Sequence, residues 1–148
     1  MPAGERSIVS MRRLERPRER LFEAFRDPAQ LARWWGPRGF TNTFQQFECR
    51  PGGTWRFTMH SPDGTSFENV SDFVEVAPPE RIVFVHQLPM HRFRMTMTFD
   101  EEAGGSATTL TWRMEFDSAA GADEFRDLIL EANEQNFDRL EEHLGREH

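Results

Sequence analysis

Residues 93–116 read FRMTMTFDEEAGGSATTLTWRMEF, and this stretch decides the fold. Phe93, Met95, Met97 and Phe99 alternate with Arg94, Thr96 and Thr98, and Leu110, Trp112, Met114 and Phe116 alternate with Thr109, Thr111, Arg113 and Glu115. A period of two places successive side chains on opposite faces of a strand, so each run has one apolar and one polar face. Ala103-Gly104-Gly105 supplies the turn between them. One-faced strands joined by short loops imply an antiparallel sheet.

The same pattern continues upstream. Trp55, Phe57 and Met59 alternate with Thr54, Arg56, Thr58 and His60, and period two holds from about Phe44 to Phe116. Turn residues punctuate it at Arg50-Pro51-Gly52-Gly53 and Ser61-Pro62-Asp63-Gly64, while Ala77-Pro78-Pro79 separates a strand around Phe73 to Val76 from another at Ile82 to His86. Ser7 to Leu14 reads as a first strand. Pro17 suits the first turn of a helix carrying Leu21, Phe22 and Phe25, Asp27-Pro28 ends that helix and starts a second with Leu31, Trp34 and Trp35, and Gly36-Pro37 stops it.

Downstream, Ala119 to Leu144 is the longest helix. Ala122, Phe125, Ile129, Ala132, Asn133, Asn136, Phe137, Leu140 and Leu144 form one stripe, and acids from Asp123 to Glu142 fill the other face. Six or seven one-faced strands and one amphipathic helix must share a core, so the helix has to cross the apolar face of the sheet. The expectation is an α+β chain, residues 1–148 forming one domain.

Composition narrows the function. A net charge of -7 argues against a nucleic-acid binder, no run approaches the length of about 18 apolar residues that a spanning helix needs, and Met1 to Ser10 lacks a secretory signal. The one cysteine, Cys49, fits a reducing compartment, so a cytoplasmic location with no membrane association is expected. Residues 1–40 hold nine arginines against five acids, a net of +4, and the remainder carries -11. Solvated helix faces account for such asymmetry, and a protein partner at the Arg-rich N-terminal face is the functional alternative. The chain is expected as a monomer or homodimer.

Several stretches together resemble a known family. Pro17 to Pro28 is similar to the first helix of the START-like (SRPBCC) superfamily, and Leu31-Ala32-Arg33-Trp34-Trp35-Gly36-Pro37 to its second. With Arg50-Pro51-Gly52-Gly53-Thr54-Trp55, Pro62-Asp63-Gly64-Thr65 and Pro78-Pro79-Glu80-Arg81-Ile82, residues 8–145 resemble the family named after the C-terminal domain of the activator of heat-shock-protein-90 ATPase. The resemblance implies a helix-grip fold, in which a curved antiparallel sheet grips a long C-terminal helix. It also implies a hydrophobic ligand held between sheet and helix, with catalysis in a minority of members. Single-domain relatives often carry a Gly-Trp pair where this chain has Ala132-Asn133.

No motif for metal, nucleotide or nucleophilic chemistry appears. His60, His86, His91, His143 and His148 are scattered, there is no paired Cys spacing, and Cys49 has no evident base. No catalytic residue, metal or cofactor is therefore expected. What remains is an apolar wall with a few polar interruptions. Trp55, Phe57, Met59, Phe73, Met95, Met97, Trp112 and Met114 from the strands, and Phe125 and Ile129 from the long helix, are the expected lining of a small-molecule cavity. Asn133 and Asn136 are expected to fix the polar end of a ligand, His86 joins them by strand parity, and Trp35 is expected at the rim of a Gly-rich gate, Gly36 to Gly39. Two rival functions stand beside ligand binding. One is a cavity enzyme of the polyketide cyclase or hydratase type, with His86 as acid or base. The other is a chaperone cofactor or regulatory interaction protein.

Overall fold

The computed structural model describes residues 6–88 and 92–145. Its elements are β1 (Ser7–Leu14), α1 (Arg18–Arg26), α2 (Pro28–Trp34), β2 (Thr41–Phe47), β3 (Thr54–His60), β4 (Ser66–Ala77), β5 (Arg81–Leu88), β6 (Phe93–Glu102), β7 (Ala107–Phe116) and α3 (Ala119–Gly145). The seven strands form one antiparallel sheet in the order β1-β7-β6-β5-β4-β3-β2. Successive strands pair as neighbours, except that β1 closes against β7. The antiparallel sheet expected from the alternation is formed, and with α3 it makes the helix-grip α+β fold that the family resemblance implies.

Register places the apolar positions in rows. Met114, Met95 and Phe84 lie side by side across β7, β6 and β5, and Trp112, Met97 and Ile82 form the next row. Pairing shifts between Val70 and Ser71, between Phe73 and Glu75, and between Phe44 and Gln46. Such bulges bend a strand and strengthen its twist, which curls the apolar face into a concave surface. At the foot of β3, Gly53 is fixed by close approach: a Cβ there would lie 2.0 Å from the Glu48 carbonyl oxygen.

Two elements close the concave face. From α1 comes Phe25, whose ring sits among Trp35, Phe47, Trp55, Phe73 and Phe84 at centroid separations of 5.6–6.5 Å. The other is α3, fastened to β1 by Arg12. The Arg12 guanidinium bonds Glu134, Asp138 and Glu141 at 2.7 Å each and lies over the Phe137 ring. Other N-terminal arginines also find acids within the chain: Arg38 pairs with Glu142 and Asp138, Arg18 with Glu101, and Arg26 with Glu23. The charge asymmetry of the sequence thus brings an arginine-bearing edge against an acidic helix face.

The α1–α2 corner is set by one residue. Asp27 closes α1 and caps α2, its carboxylate accepting from the Ala29 backbone N–H at 3.0 Å and the Gln30 side chain at 3.0 Å, with Pro28 in the first turn. The Gln30 bond first, then the backbone N–H groups, hold its carboxyl below the usual aspartate range. Losing the cap in Asp27→Ala is expected to cost about 0.5–2 kcal/mol in urea unfolding at neutral pH. Because the folded carboxyl is depressed, this contribution is present above the unfolded value of about 4 and fades as pH falls through the lower folded value. The gap between variant and parent should therefore narrow in acid, and a gap independent of pH would show that the charge is not what caps the helix.

Candidate functional site

The two halves of α3 meet the sheet differently. Asn133, Asn136, Phe137, Leu140, His143 and Leu144 are buried, whereas Phe125 and Ile129 are half-buried and Leu128 is 64% exposed. The C-terminal half packs solidly. Beneath the other half lies a cavity of about 590 Å³, within the range of about 300–1,000 Å³ usual for ligand sites.

Its walls are overwhelmingly apolar. Trp35, Trp55, Phe57, Met59, His86, Met95, Trp112, Met114, Phe125, Ile129, Asn133 and Asn136 line it. Phe73 and Met97 do not. Both are buried, at 2% and 1% exposure, but Phe73 faces Phe25, Phe47 and Trp55, and Met97 lies in the row between Ile82 and Trp112. Parity gives the face of a strand and not the place along it that the hollow occupies. Both residues belong to the packed core.

The loop after α2 forms one wall, and α3 holds it. The Asn136 side chain accepts from Gly36 N–H at 3.1 Å and donates to the Trp34 carbonyl at 2.7 Å. Arg139 donates to the carbonyls of Arg33, Trp35, Gly36 and Pro37 at 2.9–3.1 Å, placing a cation at the C-terminal end of α2. Burial first, then the charge of Arg38, lowers its pKa from the usual arginine value. Gln135 accepts from Arg38 N–H. Gly36, at φ +100°, has its missing Cβ position 2.7 Å from Met59 Cε, so the loop needs glycine there. The expected gate is a pinned wall. Trp34 is buried and donates to the Ala24 carbonyl, while Trp35 is the half-buried indole that reaches the cavity.

These bonds separate the two asparagines. Asn136 lines the cavity, but both ends of its amide serve the loop backbone. Asn133 donates to Ser10 Oγ at 3.1 Å and approaches Met114 Sδ at 3.7 Å, and its oxygen accepts no hydrogen bond among the described residues. Two further polar residues that sequence reading missed, Asn69 and Ser71, face the same space from β4. They share parity with Phe73, which was the available signal. The indole nitrogens of Trp55 and Trp112 are buried without a hydrogen-bond acceptor. Phe25 and Phe84 stand nearly perpendicular to the Trp55 ring, and Phe137 lies 4.6 Å from Trp112.

The remaining candidates lie elsewhere. Burial pushes the Cys49 thiol up to about 11, against the pull of Arg26, so it is protonated at neutral pH and a poor nucleophile. His60 sits on the exposed face between Thr43 and Ser66, and His143 is hydrogen-bonded to Gln30. His91 and His148 fall outside the described residues. Among the described residues no group of three or more His, Cys, Asp or Glu side chains is placed to hold a metal ion, and no helix is long and apolar enough to cross a membrane.

With this geometry in view, comparison with known proteins is informative. The family model for activator of Hsp90 ATPase homolog 1-like proteins matches residues 15–145. The chain belongs to this family. Solved structures agree in fold. A protein from Nitrosomonas europaea is 20% identical with a TM-score of 0.86 over 100% of both chains. One from Chromobacterium violaceum is 26% identical with a TM-score of 0.78, covering 92% of this chain and 94% of that one. DynU16, a putative protein in the dynemicin biosynthetic locus, is 19% identical with a TM-score of 0.73, and the match covers 96% of this chain but 48% of that one. No curated protein matches the chain.

The hydrogen bonds of the activator-family chain set its asparagines apart in a measurable way. Asn136→Leu strands a backbone N–H and a carbonyl that cannot turn elsewhere, and should lower stability by about 1–3 kcal/mol in urea unfolding. Asn133→Leu releases only a serine hydroxyl, which can rotate, and should cost less. Equal losses would mean that Asn133 is as firmly built into the frame as Asn136.

Proposed function

We propose that this protein binds a small hydrophobic or amphipathic molecule in the cavity between the sheet and the N-terminal half of α3. One observation carries the reading: an apolar hollow of about 590 Å³ in a chain whose core is otherwise closely packed around Phe25. Emptying such a space of matter forfeits dispersion contacts along its whole lining, and filling it with an apolar body regains them while removing apolar surface from water. Met59, Met95 and Met114 supply unbranched side chains that adapt to more than one ligand shape. Cys49, a half-buried thiol with no disulfide, fits a cytoplasmic setting.

A catalytic form of this reading rests on His86, which lines the cavity and lies directly across from Ser71 in the β4–β5 pairing. An imidazole inside an apolar pocket can exchange a proton with a bound substrate, the role that a cyclase or hydratase would need. The structural likeness to a protein from a biosynthetic locus, DynU16, is in keeping with this variant.

Neutral N-phenyl-naphthylamine should bind with one-to-one stoichiometry and gain fluorescence. Ala132→Trp, at a lining position on α3, should fill the hollow and weaken binding at least about tenfold, which is about 1.4 kcal/mol. Undiminished binding by a folded variant would place the probe elsewhere and remove the cavity from the reading.

A further inference from the structure

We infer that the cavity orients its ligand on a polar strip formed by Asn69, Ser71 and His86, and that this ligand is uncharged, an aromatic or alicyclic body with a carbonyl or hydroxyl at one end. This inference rests on the ligand-binding reading above and specifies its chemistry.

The strip is a property of the strands. Asn69 and Ser71 lie two residues apart on the inward face of β4, and Ser71 stands opposite His86 on β5. All three line the cavity, and Asn69 and Ser71 are 7% and 1% exposed. Their neighbours on the same face are aromatic: Phe57 pairs with Asn69, Trp55 with Ser71, and Phe93 stacks on the His86 ring at 4.7 Å. A strand built only to pack would carry apolar residues at 69 and 71, as β6 and β7 do at every matching position around the hollow. Instead three polar side chains are grouped there, and for Asn69 and Ser71 the protein gives little back. Asn69 donates to the Phe67 carbonyl at 3.1 Å, leaving its oxygen without a donor among the described residues. The Ser71 hydroxyl makes no hydrogen bond with another described residue. Polar groups that line a cavity find their partners in it, in water or in a ligand.

The same inventory sets the charge. Arg38 and Glu131, the two residues of fixed charge in the lining, are both exposed, and Arg38 is already paired with Glu142. No Arg, Asp or Glu side chain stands in the buried part of the wall. A carboxylate or ammonium carried in would lose its hydration without gaining a fixed counter-ion, whereas a carbonyl or hydroxyl loses far less. Amide, hydroxyl and imidazole together offer both donors and acceptors, so either neutral group can be satisfied. At the other end of the hollow both ends of the Asn136 amide serve the loop backbone, while Asn133 donates to Ser10 and keeps its oxygen as a further acceptor.

Calorimetric titration with four naphthalenes of the same ring position tests this: ethylnaphthalene, its near-isostere acetylnaphthalene, naphthoate and aminomethylnaphthalene. The parent protein should prefer the ketone to either ion. Ser71→Ala and Asn69→Leu should each reduce the ratio of acetyl to ethyl affinity, by about fivefold or more, equal to a measurable difference in binding free energy. Ser71→Ala removes a single oxygen and keeps the strand intact, with cooperative thermal unfolding as the check. An unchanged ratio in both variants, or an ion bound as tightly as the ketone, overturns the inference while leaving ligand binding in place. Failure of every naphthalene, ethylnaphthalene included, overturns ligand binding itself and the inference with it.

Discussion

One helix has to cover a concave sheet of seven strands, and most of the architecture follows from that mismatch. A helix with its side chains is about 10–12 Å across, narrower than the face that β1 to β7 present. Laid against β1 and fastened there by Arg12 to three acids of its outer face, α3 can pack tightly along only part of its length. Phe137, Leu140 and Leu144 take that part, with exposures of 2% or less. Farther toward its N-terminus Phe125 and Ile129 are only half-buried, and a hollow remains beside them. Phe25 of α1 fills the comparable space on the other side of Trp35. The cavity is what two helices of this width leave uncovered.

The roof also holds the wall in place. Asn136 and Arg139 lie three residues apart on α3, nearly one helical turn, and therefore face the same way. Between them they satisfy the backbone groups exposed where α2 ends, from the Arg33 carbonyl to that of Pro37. A helix end normally leaves its last carbonyls without partners; here a guanidinium provides them and opposes the helix dipole as well. Trp35 and Gly36 are thereby fixed against the mouth of the cavity. A Gly-rich loop after a tryptophan pair suggested mobility, but sequence proximity does not reveal that side chains about 100 residues later reach back to hold it.

The legible parts of the sequence were those where packing alone dictated the residue. β3, β6 and β7 alternate cleanly because each inward position meets another apolar side chain, and α3 shows its stripe for the same reason. The first half of β4, from Ser66 to Asp72, was not legible as a strand. Its inward residues include Asn69 and Ser71, so the apolar alternation that marks a half-buried strand is absent there. Phe73 and Met97 illustrate the opposite error. Their faces were read correctly, yet they sit where neighbouring rings close over them, which depends on curvature introduced by bulges at Val70–Ser71 and Phe73–Glu75. A period-two pattern carries no information on curvature.

The failure at β4 is itself informative about the site. Local rules and global fold agree throughout most of this chain, and a natural sequence departs from such agreement mainly where function requires it. Asn133 breaks the helix stripe and is explained within the protein by Ser10; Asn136 breaks it and is explained by the loop. Asn69 and Ser71 break the strand pattern and line the hollow; Asn69 donates only to the carbonyl of Phe67, two residues away on its own strand. Polar groups of this kind reduce stability when unpaired, by about 1–3 kcal/mol each, and apolar replacements that fill the same volume would remove that cost. Their position beside His86, under the half of α3 that packs less tightly, ties this departure from the strand pattern to the hollow in the core.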